Sequence, residues 1–117
     1  MLFIIAGLLL IVMGLLNYLD SFRVSEDSLK LTTDKVEHAV GSGLLFLALM
    51  FITRLNCFDA YMVTIILGML WEIKDGFVPY ERYGWIGGDG CSVNDLTYDI
   101  IGAVIMVLII GIIGSLI

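Results

Sequence analysis

Residues 2–19, LFIIAGLLLIVMGLLNYL, carry no charged side chain. A helix of that length measures about 27 Å, close to the ~30 Å hydrocarbon thickness of a bilayer. Three further apolar segments follow, and together they constrain the fold more than any motif does. Of the 117 residues, 60% are hydrophobic and 15% charged, and the mean hydropathy is +1.02. A soluble domain is about half apolar and about a quarter charged. The expected fold class is therefore all-α: a polytopic membrane protein, with residues 1–117 forming one integral membrane domain. It is a four-transmembrane-helix bundle with helices at about 2–19, 34–53, 59–75 and 92–116. No Lys or Arg precedes the first run and no clean small-residue cleavage site follows it, so it reads as a retained helix and not as a signal peptide.

The helix ends carry their own signals. Asp34 is placed to cap the second span, and Arg54 to meet the negative end of its dipole. Asp59 is placed to cap the third span. Its purely apolar part, Ala60 to Trp71, is short, so Glu72, Lys74 and Asp75 must continue the helix at the interface. Ser92 opens the fourth span, where SVND fits the loose capping box and directs Asp95 back to the helix start. Residues 20–33 read as a polar loop with Asp20, Arg23, Glu26, Asp27 and Lys30, and residues 54–58 as a tight turn. Residues 76–91, GFVPYERYGWIGGDGC, hold the only proline. Phe77, Tyr80, Tyr83 and Trp85 suit a headgroup region there. Within that loop GGDG reads as a flexible turn, because no lysine follows at the spacing of a phosphate-binding loop, and Asp89 is a minor site candidate.

Four spans place both termini on one side. The opposite side then holds five of the six Lys and Arg residues, which makes it cytoplasmic by the positive-inside rule. The formal charge of −6 excludes nucleic acid as a partner, because no basic patch exists to neutralise phosphates. It equally excludes a polybasic grip on anionic lipid. Cys57 and Cys91 fall in separate loops on opposite sides of the membrane, with neither metal nor redox spacing.

Polar residues recur one turn apart on the last three helices, and residues three or four apart share a face. The second helix joins Asp34, His38 and Gly41, with Glu37 beside them. The third joins Gly68, Glu72 and Asp75, and the fourth joins Asp95, Asp99 and Gly102. Because the second and fourth helices start where the third ends, these faces lie at one depth. Small residues one turn deeper (Gly41, Gly68, Gly102) permit close helix approach. A carboxylate facing lipid at mid-membrane costs about 2.5–3.5 kcal/mol, so the stripes should turn inward onto a shared pocket. The first helix has no such stripe and should pack outside as support.

Such a pocket collects Asp34, Glu72, Asp75, Asp95 and Asp99, with Glu37 as a sixth acid, one imidazole and the ammonium groups of Lys35 and Lys74. That many carboxylates cannot all stay ionised without compensation. A divalent metal ion is the expected cofactor, held by Asp34, His38, Glu72, Asp75, Asp95 and Asp99. Oxygen-rich ligation with one histidine suits Mg, Mn, Ca, Fe or Zn alike. The Glu-x-x-His pairs of di-iron bundles are missing. The competing reading takes the same cluster as an ion-pair network that fixes helix register, with Asp34 and Asp95 as caps and Lys35 and Lys74 as counter-ions.

DKVEHAVGSGLL, GMLWEIKD and SVNDLTYDIIGA resemble the D-K-x-x-H … E-x-x-D … D-x-x-x-D-x-x-G pattern of small bacterial membrane proteins of the YfiM and VanZ-like kind. The resemblance covers about residues 34–104. It implies a cell-envelope protein of the bacterial inner membrane and draws interest to Asp34, Lys35, His38, Glu72, Asp75, Asp95, Asp99 and Gly102. It supplies no reaction. This chain lacks a lipobox cysteine, so the lipoprotein label common in such proteins does not fit.

Three functions follow as expectations. The first is a hydrolase or transferase of an envelope lipid or lipid-linked substrate, with His38, Asp34 and Glu72 as catalytic groups and a metal that polarises water or phosphate. The second is a structural or assembly subunit of a homo-oligomer or larger membrane complex. The third is a cation or proton pathway, weakened because no acid lies in the far half of any span.

Overall fold

A computed structural model of the chain describes residues 1–16, 18 and 22–117, without the side chain of Tyr80. It is all-helical. The order is α1 (Leu2–Leu16), α2 (Thr33–Phe51), α3 (Cys57–Phe77), a four-residue helix α4 (Tyr80–Tyr83), a single 3-10 turn (Gly84–Ile86) and α5 (Val93–Leu116). Leu19, the expected end of the first span, and Asp20 of the polar loop lie outside the described residues.

Two of the expected caps are replaced by neighbours. Thr32, not Asp34, caps α2, its hydroxyl accepting from the Lys35 N–H; Asp34 sits inside the first turn, where its charge faces the positive dipole end. Asn56, not Asp59, caps α3 and accepts from the Asp59 N–H at 2.8 Å. Both shifts follow from the reach of the capping group, which must precede the N–H it satisfies by two or three residues. Ser92 caps α5 as expected, accepting from the Asp95 N–H at 3.0 Å. Arg54 turns the chain between α2 and α3 with a left-handed φ of 59°. Pro79, two residues past the end of α3, stops that helix.

α2, α3 and α5 pack on one another, and α1 packs on α3. His38 meets Asp99, Ala39 meets Gly102 and Gly43 meets Met106, so α2 and α5 run parallel. Gly68 meets Asp99 while Glu72 meets Ser92, so α3 runs antiparallel to both. Ala6 and Met13 of α1 share the apolar core with Ile65 and Met69 of α3 and with Leu96 and Ala103 of α5, the supporting position expected of α1.

The closest crossing is at Gly102, where a Cβ would stand 2.0 Å from the Ala39 carbonyl oxygen. Gly68 faces the Asp99 carboxylate. Gly41 differs from both: nothing lies within 4 Å of where its Cβ would be. The neighbouring Gly43 takes the packed position instead, against Met106 and the Gly102 carbonyl. Two residues along a helix turn a side chain by about 200°, which puts Gly43 on the packed face and Gly41 on an open one.

α5 is long and apolar enough to cross a membrane. α1 is apolar throughout but has 15 residues, about 22 Å. α2 and α3, with 19 and 21 residues, have the length but carry too many charged residues to pass as spans, so among the described residues α5 is the one helix of the four expected spans that does.

The loops close over the site end. Arg23 and Ser25 pair with Cys91 through backbone hydrogen bonds of 2.8 and 2.9 Å, and the Arg23 N–H reaches the Gly76 carbonyl at 3.0 Å. Phe22 packs on Gly76 and edge-on against Phe77, with ring centroids 5.0 Å apart. The segment 76–91 is more ordered than a plain loop, because Pro79 and Gly84 punctuate it into α4 and the 3-10 turn.

Candidate metal centre

His38 is the hub. It projects from the second turn of α2 between two carboxylates of α5: Nδ1 lies 3.1 Å from Asp99 Oδ1 and Nε2 lies 3.2 Å from Asp95 Oδ2. Asp34, one turn earlier on α2, lies 3.9 Å from Nε2. Asp95 and Asp99 are themselves one turn apart, so one helix face supplies both. A neutral imidazole donates through one nitrogen only. Holding a carboxylate at each nitrogen requires a second ring proton, or a proton or cation shared at one of them.

Glu72 comes in from α3 and is fully buried. Its Oε2 accepts the Ser92 backbone N–H at 2.9 Å. In a capping box that N–H would be taken by the acid three residues on, here Asp95. Glu72 takes it from another helix and leaves Asp95 free to face His38 and Lys35. The other oxygen, Oε1, has no hydrogen-bond partner among the described residues. Two groups of ligand atoms result, each with its members within 4.8 Å of one another: Asp34, His38 and Asp95 at the rim, and His38, Glu72 and Asp99 deeper in. These acidic and histidine groups are close enough together to hold a metal ion.

Lys35 is buried and pairs with Asp27 and Asp95, with Asp34 at 3.8 Å. Asp27 belongs to the polar loop, and no helical spacing connects it to the site. It also accepts from the Ser92 hydroxyl and from Asn94 Nδ2 at 3.0 Å. Burial alone would raise the Asp27 carboxyl, but the hydrogen bonds from Lys35, Ser92 and Asn94 outweigh that and hold it below its ordinary value. Tyr98 fastens the same loop by donating its hydroxyl to the Leu29 carbonyl at 2.7 Å. Ser42, also unmarked in the sequence, donates across the helix interface to the Asp99 carbonyl at 2.7 Å.

The remaining expected residues divide. Asp75 lies outside both groups; it is ion-paired with Lys74 and packed on Gly88. Lys74 lies over the Trp71 ring, 3.8 Å from its centroid, and donates to the Ile86 carbonyl, which removes it from the His38 cluster. Glu37 is exposed at the rim of a cleft that His38, Gly41 and Asp99 also line. Asp89 is exposed and apart from both groups. Sequence spacing places a residue on a helix face, but it cannot say which of two polar neighbours on that face the adjacent helix will cover.

Fold and site together define a small all-helical protein with an acid–histidine cluster between three helices, one of them able by length and composition to cross a membrane. Comparison with models of protein families, with curated proteins and with solved structures finds no match to this chain.

Proposed function

We propose that the chain is an integral membrane protein of four helices that holds a divalent cation at one membrane face and acts on an envelope lipid or lipid-linked substrate by hydrolysis or transfer. The VanZ-like resemblance and the cytoplasmic placement of the site belong to this reading. Membrane insertion is supported by α5: its most apolar stretch is only 17% buried, unlike the core helix of a soluble protein. Exposed Ile105, Leu108, Ile112 and Ile113 make an apolar surface that lipid would cover.

The cation is supported by one observation above the rest. Glu72 is fully buried, one of its oxygens has no partner among the described residues, and its carboxylate stands with that of Asp99 at an imidazole whose other nitrogen faces Asp95. Burying an ionised carboxylate without a partner is costly. Lys35 is already engaged by Asp27 and Asp95. A divalent ion compensates two carboxylates at once and suits a set of oxygens with one nitrogen. When bound, such an ion supplies Lewis acidity toward water or phosphate. His38 and Asp99 orient one another, and Glu72 closes the site from α3.

Metal analysis of the purified protein, with Mn2+ titration, tests this. We expect bound metal at one ion per chain. Changing a residue that merely supports a ligand costs about 10–100-fold in affinity, so Asp99→Asn and His38→Ala should each cost at least about a hundredfold. Background metal, together with unfolding that a chelator does not shift, rejects the reading.

A further inference from the structure

We propose that the cleft between α2 and α3 holds one acyl chain of a phosphate-bearing lipid, which reaches the site sideways from the bilayer with its phosphate directed at His38 and Asp99. This rests on the membrane and cation reading above and names the substrate class for that site.

The cleft has a volume of about 330 Å³, within the ~300–1,000 Å³ of small-ligand pockets and near its lower end. Its lining is graded. Glu37, His38 and Asp99 form one end beside Trp71; Leu45 and Leu67 form the other with Thr64, whose hydroxyl is already donated to the Ala60 carbonyl at 2.8 Å. His38 and Leu45 are seven residues apart on one helix, so the cleft runs about 10 Å along the bundle. In a bilayer that distance leads from the headgroup region into hydrocarbon. The polar-to-apolar gradient therefore matches the gradient along a lipid and not that of a water-soluble phosphate.

Gly41 is what keeps the cleft open. It is exposed, and no atom lies within 4 Å of where its Cβ would be. Any larger residue there would stand in the slot. The deeper ligand group points the same way. His38 and Asp99 line the cleft, while Glu72 does not. Three protein ligands leave positions open on a catalytic cation. With Glu72 behind, the open side is the side of the cleft. The acids repel a bare phosphate, so the cation must be present for the head to dock, while the acyl chain contributes whether or not it is.

The test uses the full chain in nanodiscs with a phosphatidic acid carrying a photoactivatable diazirine near the middle of one acyl chain. Cross-links are mapped by peptide mass spectrometry, and Mn2+ binding is measured on the same samples. Wild type should label on α2 and α3 around Leu45 and Leu67. Gly41→Phe should bind Mn2+ as wild type does and lose at least about tenfold of that labelling, a change worth ~1.4 kcal/mol. Leu67→Trp, on the exposed rim, provides a second readout that does not depend on Gly41→Phe folding: its fluorescence should be quenched by a brominated acyl chain, and chelation should weaken the quenching. Normal Mn2+ binding with unchanged labelling in Gly41→Phe overturns the cleft proposal and leaves the metal site standing. Absence of Mn2+ binding in wild type overturns the underlying reading as well. Labelling or quenching displaced by inorganic phosphate alone, with no dependence on the acyl chain, overturns the lipid assignment.

Discussion

The backbone of Gly102 in α5 rests directly against Ala39 in α2, so that a Cβ at 102 would stand 2.0 Å from the Ala39 carbonyl oxygen. That contact lies next to the residues that matter most: His38 precedes Ala39, and Asp99 is one turn before Gly102. The helix separation it sets is the separation at which the imidazole and the carboxylate meet.

Gly102→Ala should therefore force α2 and α5 apart. Overpacking of this kind costs about 1–3 kcal/mol, and here the obstructing atom is backbone, which cannot swing aside. Thermal unfolding in detergent should show a clear loss for Gly102→Ala and little for Gly111→Ala, where nothing lies within 4 Å of the added carbon. Equal behaviour of the two variants would contradict the close crossing.

Lys35 holds two segments that are remote in sequence, Asp27 in the loop and Asp95 in α5. Removing one partner of a buried ion pair leaves the others uncompensated and costs about 3–5 kcal/mol. Lys35→Met should fall near the lower end of that range, because a quarter of the Asp27 side chain is exposed and solvent screens part of its charge. Chemical denaturation of Lys35→Met and of the exposed Lys30→Met compares the two directly; the second should be almost neutral.

The Asp27 carboxyl is held below its ordinary value of 3.8. A depressed folded value means that this group's contribution to stability is complete above the unfolded value and is lost as pH falls through the folded one. The stability gap between wild type and Asp27→Asn should be constant above about pH 5 and shrink below about pH 4. Melting curves between pH 3 and pH 7 check this. A gap that widens on acidification would reverse the assignment.

Cys91 is buried, and its backbone is pinned by Arg23 and Ser25. Burial, with the charges of Glu72 and Asp75, pushes its thiol up to about 11. At pH 8 about one such thiol in a thousand is thiolate, the reactive form. In a Cys57→Ser background the folded protein should therefore resist maleimide and the unfolded chain should label fully. Stoichiometric labelling of the folded protein would show that the loop does not cover Cys91.

Much of this was legible in the chain itself. The apolar runs mark α1, α2, α3 and α5, because each is longer than the roughly four to eight residues of an ordinary strand. Three- and four-residue spacings place Asp34 with His38, and Asp95 with Asp99, because helix geometry is local and fixed. Ser92 is readable as a cap for the same reason.

What tertiary packing decided is how those faces meet. Glu72 takes the Ser92 N–H that the capping pattern offers to Asp95, and Lys35 is buried by a loop carboxylate with no periodic relation to it. Gly41 faces an open cleft while Gly43 and Gly102 carry the helix contact. Asp75 and Lys74 pair with each other and leave the histidine cluster. None of these follows from spacing, since each depends on the rotation and offset of one helix against another. Those are set by the summed packing of side chains distant in sequence, which local periodicity does not encode.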